Sequence, residues 1–138
     1  MPNHNHGRPQ PTQNPPLPRE QIVFGHPSEE EFARVLDFYG IEWRYETTTF
    51  PLRWDANNVV TEAFSPDFYL VNENLYVELT TLRPQLMRAK RRKLRRMREL
   101  YPGVNIRLWR RRDFEMLLAR FGQEGRHDEL VGQEALDQ

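Results

Sequence analysis

Asp67 and Glu78 are the residues whose type and spacing most directly suggest chemistry. Asp67 follows Pro66, and Glu78 lies eleven residues further on. Side chains alternate faces along an extended chain. Asp67, Tyr69 and Val71 therefore share one face of their segment, and Tyr76, Glu78 and Thr80 share one face of the next, with Leu75, Val77 and Leu79 on the other. Asn72-Glu73-Asn74 between them is a turn composition. The two segments are expected as antiparallel neighbours with Asp67 and Glu78 side by side. Adjacent carboxylates raise each other's pKa unless a cation stands between them. Oxygen ligands on rigid strands suit magnesium or manganese. Glu29 is a third carboxylate: it precedes Phe32 and Leu36 by three and seven positions and so points with their apolar stripe.

The cations are as unevenly spread as the acids. Between Arg83 and Arg98 there are nine Lys or Arg and no acid, although the net charge of the chain is zero. Ordinary exposed helices mix signs at i,i+4, so such a run suits a polyanion. Arg83, Arg88, Arg91, Arg92, Arg95 and Arg96 are expected to hold the backbone of a nucleic acid. No base-reading element accompanies them, which predicts affinity without sequence preference. The plainer reading of the run is a solvated charged face. Lys90 differs from its neighbours, being in phase with Leu86, Leu94, Met97 and Tyr101 and hence aimed inward.

The elements that must position these groups follow from periodicity and punctuation. Pro27-Ser28 and three glutamates start a helix over 28–39, with Ser28 as the expected cap and Gly40 as the stop. Residues 41–50 read as a first strand, 59–64 and 67–71 as a second strand interrupted at Pro66, and 75–80 as a third. Pro84 opens a helix to about Leu100. A fourth strand over 104–109 and a last helix over 112–121 complete the order α-β-β-β-α-β-α. This is an α/β class domain with a mixed central sheet flanked by helices.

Residues 1–22 are rich in Pro, Asn and Gln and are expected to be a disordered tail. Residues 23–122 form the one domain, and residues 123–138 an acidic flexible tail. His4-Asn5-His6 lies in the first tail, without the strand and helix context that would make it a metal site. There is no cysteine among the 138 residues and no apolar run at the start. A soluble, cytoplasmic protein without a membrane partner is expected.

Pro66-Asp67 followed by Glu78-Leu79-Thr80, with a helix before and a helix after, resembles the PD-(D/E)XK nuclease superfamily. The resemblance covers about residues 28–121. It implies a restriction-endonuclease-like core in which Asp67, Glu78, the Leu79 carbonyl and Glu29 bind Mg2+ or Mn2+. It also implies a lysine two positions after the Glu, and here that position is Thr80. Lys90 is the first substitute and Arg83 the second. The implied function is a metal-dependent endonuclease acting on nucleic acid, DNA before RNA. Asp67, Glu78, Lys90 and Glu29 would be its catalytic residues, and cutting a duplex would need two sites, as in a homodimer. The alternative is an inactive nuclease-fold module that binds nucleic acid or serves as an accessory domain. A fainter likeness, over 37–81, is to domains that precede a phosphoribosyltransferase in some bacterial proteins.

Overall fold

Phe32, Ala33 and Leu36 are fully buried on one side of α1 (Pro27–Phe38). Fully burying an aliphatic or aromatic side chain of this size contributes about 1.5–3 kcal/mol, so this stripe fixes the helix against the sheet beneath it. The computed structural model describes residues 7–80, 83–110, 113 and 116. The expected last helix over 112–121 and the tail over 123–138 therefore lie outside the described residues, apart from Asp113 and Met116. Among the described residues are two α-helices and seven strands in two sheets, one of them mixed.

The mixed sheet has the order β2-β5-β6-β7, formed by β2 (Trp43–Tyr45), β5 (Phe68–Leu70), β6 (Leu75–Thr80) and β7 (Ile106–Arg110). β5 and β6 are an antiparallel hairpin in the register Phe68↔Val77, Tyr69↔Tyr76 and Leu70↔Leu75. Asn74 takes φ 50° in its turn, a left-handed conformation that asparagine tolerates. β6 and β7 run parallel, and the connection between them is α2 (Pro84–Leu100). A parallel pair needs such a crossover.

The two faces of this sheet have different cover. Phe68, Leu70, Leu75, Val77, Leu79 and Trp109 pack on Phe32 and Leu36 of α1. On the other face Ile106 and Leu108 pack with Leu94 and Met97 of α2 and with Phe50, Leu52 and Phe64 of the second sheet. That sheet has the order β1-β3-β4, from β1 (Thr12–Gln13), β3 (Thr48–Trp54) and β4 (Val60–Phe64). The Tyr101 hydroxyl donates to the Pro51 carbonyl at 2.6 Å and ties the end of α2 to β3.

Four expectations are corrected. The single strand expected over 41–50 is two strands in different sheets, because Glu46 adopts φ 47° and turns the chain between β2 and β3. β3 continues through Pro51 to Trp54, beyond the end at residue 50 expected for the first strand. Pro51 lacks an N–H for the ladder, and the pairing with β4 is irregular just beyond it. The second strand is interrupted at Pro66 as expected, but its two halves, β4 and β5, belong to different sheets and are not one strand. The cap of α1 is His26, whose ring nitrogen accepts from the Ser28 amide, so Ser28 lies inside the helix with Pro27 at its start. In addition, part of the segment read as a disordered tail is laid along β3, with Thr12 opposite Thr49 and Gln13 opposite Thr48. The asparagine that follows explains the hold: Asn14 donates to the Glu46 carbonyl at 2.7 Å and to the Thr49 hydroxyl at 3.2 Å. Among the described residues no helix is long and apolar enough to cross a membrane.

Candidate functional site

The hairpin register sets Asp67 opposite Glu78, on the face of the sheet that α2 covers. Each carboxylate accepts a backbone hydrogen bond from the other's strand. The Asp67 amide donates to Glu78 Oε1 at 3.0 Å, and the Leu79 amide donates to Asp67 Oδ2 at 3.0 Å. Both residues are buried, at 8% and 6% exposure. Rigid strands and these two bonds leave the carboxyl groups little freedom to move apart.

Lys90 reaches this pair from α2. Its Nζ lies 2.9 Å from Glu78 Oε2 and donates to the Leu79 carbonyl at 2.5 Å. The sequence phase that aims Lys90 inward thus meets the carboxylate face of β6. Thr80 stands two residues beyond Glu78, paired in register with Arg110.

The electrostatics follow from the burial. Burial, then the charges of Glu78 and Glu29, push the Asp67 carboxyl up to about 8. Glu78 is also raised by burial, against the opposing effect of the Lys90 ammonium. At neutral pH the pair therefore retains a proton in the absence of a further cation. Burial of a carboxylate with too few positive neighbours is the physical cause.

Glu29 comes close without joining the pair. Its Oε1 accepts from the Tyr45 hydroxyl at 2.5 Å and from the Gly25 amide at 3.3 Å. The Tyr45 hydroxyl is driven upward, first by burial and then by that bond to Glu29. Glu46 was not foreseen as part of this region. The residue as a whole is exposed, yet its carboxyl is raised by partial burial and by the charges of Glu29 and Glu78. The positive φ at Glu46 breaks the alternation from which its direction would have been read.

The donor set can be weighed against a divalent ion. Asp67, Glu78 and the Leu79 carbonyl offer oxygen atoms, the chemistry a hard cation takes. Among the described residues no group of three or more acids or histidines is arranged to hold a metal ion. Magnesium is ordinarily held by one or two carboxylates, with waters and substrate phosphate completing its shell. The residues present fit that pattern, with Glu29 bonded to Tyr45 and Gly25 and acting on Asp67 through its charge.

No known protein is matched. Comparison with protein-family models, curated proteins and solved structures gives no match to this chain.

The basic residues divide into two groups. Arg83, Arg88, Arg92 and Arg95 are exposed, and Arg91 is half-buried. Arg92 lies 3.9 Å from Glu62, which Arg53 also pairs at 3.2 Å. Arg96 has a structural tie: its Nε donates to the Leu52 carbonyl at 2.9 Å and its guanidinium lies over Trp54. The outer face of α2 carries Arg88, Arg92 and Arg95 at helical spacing, and no acid occupies its first turn.

Proposed function

We propose that the chain is a divalent-metal-dependent endonuclease of the PD-(D/E)XK kind, acting on nucleic acid, with DNA as the expected substrate. The observation that carries this reading is the buried Asp67–Glu78 pair with Lys90 seated on Glu78 and on the Leu79 carbonyl. A magnesium or manganese ion held by Asp67, Glu78 and the Leu79 carbonyl would supply a water of lowered pKa and stabilise charge at phosphorus. The side chains supply the rest. Lys90 sets an ammonium beside the place where a phosphoryl oxygen gains negative charge, the kind of fixed charge that lowers a barrier. Glu29, held by Tyr45, keeps the field around Asp67 negative and favours a cation there. Arg88, Arg92 and Arg95 draw in and hold the phosphate backbone.

A second reading is favoured by one observation. The Lys90 ammonium already satisfies Glu78 and the Leu79 carbonyl, and Thr80 stands at the lysine position of the superfamily pattern. A module that keeps the fold and binds nucleic acid without cutting would look like this.

One assay separates the two. Plasmid, single-stranded DNA and RNA are incubated with wild type and Glu78→Ala in magnesium or manganese. Metal-dependent cutting that is absent from the variant supports the nuclease. Salt-sensitive binding without cutting by either protein supports the binding module.

A further inference from the structure

Glu78 and Lys90 also form part of the wall of a cleft of about 370 Å3. Ligand sites commonly measure ~300–1,000 Å3. Ala63, Phe64, Leu86 and Ala89 make its surface apolar, and Ser65 and Lys93 complete it. Leu86 is 46% exposed, a large apolar side chain left at the surface. The Ser65 hydroxyl is held 2.7 Å from that of Thr49. Lys93 stands 5.9 Å from the centre of the Phe64 ring. Lys90 and Lys93 are one helical turn apart, and the carboxylate in this lining, Glu78, is already paired with Lys90. The cleft therefore combines an apolar surface, net positive charge and few groups able to read hydrogen bonds.

A larger cleft of about 410 Å3 lies beside β2, and three of its polar lining groups are tied to one another. Arg19 pairs with Asp37 at 2.7 Å and lies over Trp43, whose indole donates to Asp37 at 2.8 Å.

We propose that the cleft beside Lys90 receives the base of one unpaired nucleotide, with its phosphate at Lys90 and Lys93, so that the chain prefers single-stranded nucleic acid to duplex. This deepens the nucleic-acid reading above and rests on it. A planar base joined to an anion matches apolar walls flanked by the Lys93 ammonium and by Lys90, whose charge is shared with Glu78. Bases in a duplex are stacked and paired, and extracting one costs a few kcal/mol. A duplex would meet the arginines of α2 through its backbone and leave the cleft empty. Contact with a base through apolar surface and cations is tolerant of sequence, in keeping with a lining so poor in hydrogen-bonding groups.

The test is fluorescence anisotropy with a short labelled single strand, the same sequence as a duplex, and the same strand with abasic sites throughout. Wild type is expected to bind the intact strand about tenfold tighter than either of the others, the scale of losing one base contact. Ala89→Leu, which fills the cleft and keeps every charge, should lower single-strand affinity by the same factor and leave duplex affinity unchanged. The abasic strand is read on wild-type protein, so it decides the matter even if the variant folds poorly. Equal binding of intact and abasic strands, or tighter binding of duplex, overturns the cleft proposal while leaving the nucleic-acid reading intact. Absence of salt-sensitive binding to all three overturns both.

Discussion

Asp67→Asn should make the metal-free protein more stable, not less. The Asp67 carboxyl is pushed up to about 8 by burial and by its acidic neighbours. In the unfolded chain it titrates near ~3.9. A folded-state pKa above the unfolded value gives stability that is complete below about pH 4 and is lost as pH rises towards 8. At pH 7 the carboxyl is ~3 pH units above its unfolded pKa, and at about 1.4 kcal/mol per unit the loss approaches ~4 kcal/mol. Because Asp67 and Glu78 titrate together, with Lys90 beside them, ~2–3 kcal/mol is the expected share. Asparagine has no charge to bury, and its carbonyl oxygen can still accept from the Leu79 amide, as Asp67 Oδ2 does at 3.0 Å. The assay is urea denaturation of wild type and variant between pH 5 and pH 8, with chelator present. Wild type should lose stability across this window relative to Asp67→Asn, and the variant should be the more stable at pH 7.5. Magnesium should then raise wild type selectively, since an ion bound only by the folded state stabilises it. A variant less stable than wild type at pH 7.5, or parallel pH profiles, would refute the claim that this carboxylate is strained by burial.

Two further outcomes follow from the same geometry. Lys90→Met removes the cation from a Glu78 side chain that is 7% exposed, while Lys90 itself is 28% exposed. Breaking a fully buried pair costs ~3–5 kcal/mol, so this partly open one should cost about 2 kcal/mol by urea denaturation, and on the nuclease proposal cleavage should be abolished. Replacing Arg88, Arg92 and Arg95 together by Gln should leave the melting temperature nearly unchanged, because all three are exposed. The slope of log affinity against log salt should become shallower by about 2–3, one unit or slightly less per lost phosphate contact.

The carboxylate pairing was legible because β5 and β6 obey strict alternation across a short turn, and a period of two determines which side chains meet. Lys90 was legible for a similar reason: one lysine in the apolar phase of a long helix can point only at the sheet. The division between β2 and β3 was not. It depends on a left-handed residue at Glu46, and nothing in the composition of Trp43 to Phe50 marks a break there. The first strand was expected to end at residue 50, yet β3 passes through Pro51 with an irregular ladder just beyond it. The pairing of Thr12 and Gln13 was hidden by the prolines around them, since composition reports apolar content and not the open edge of β3 available to receive a strand. The cleft beside Lys90 was invisible for a further reason: its walls come from the end of β4, from β6 and from α2, which are far apart in sequence.

Since β6 and β7 are parallel neighbours, α2 is a bridge of fixed span, and this limits which insertions and deletions the chain can survive. One residue added before Lys90 would turn its side chain by roughly 100° about the helix axis, taking the ammonium off Glu78 and rotating Leu94 and Met97 out of the core together with it. The same addition in the Tyr101-Pro102-Gly103 turn would leave that phase intact and alter only the approach to β7. Length variation in this chain should therefore collect at turns such as Asn72–Asn74 and Asp55–Asn58, while the stretch from Glu78 to Leu100 keeps one length. In it the acid, the lysine and the arginine face are held to a single ruler.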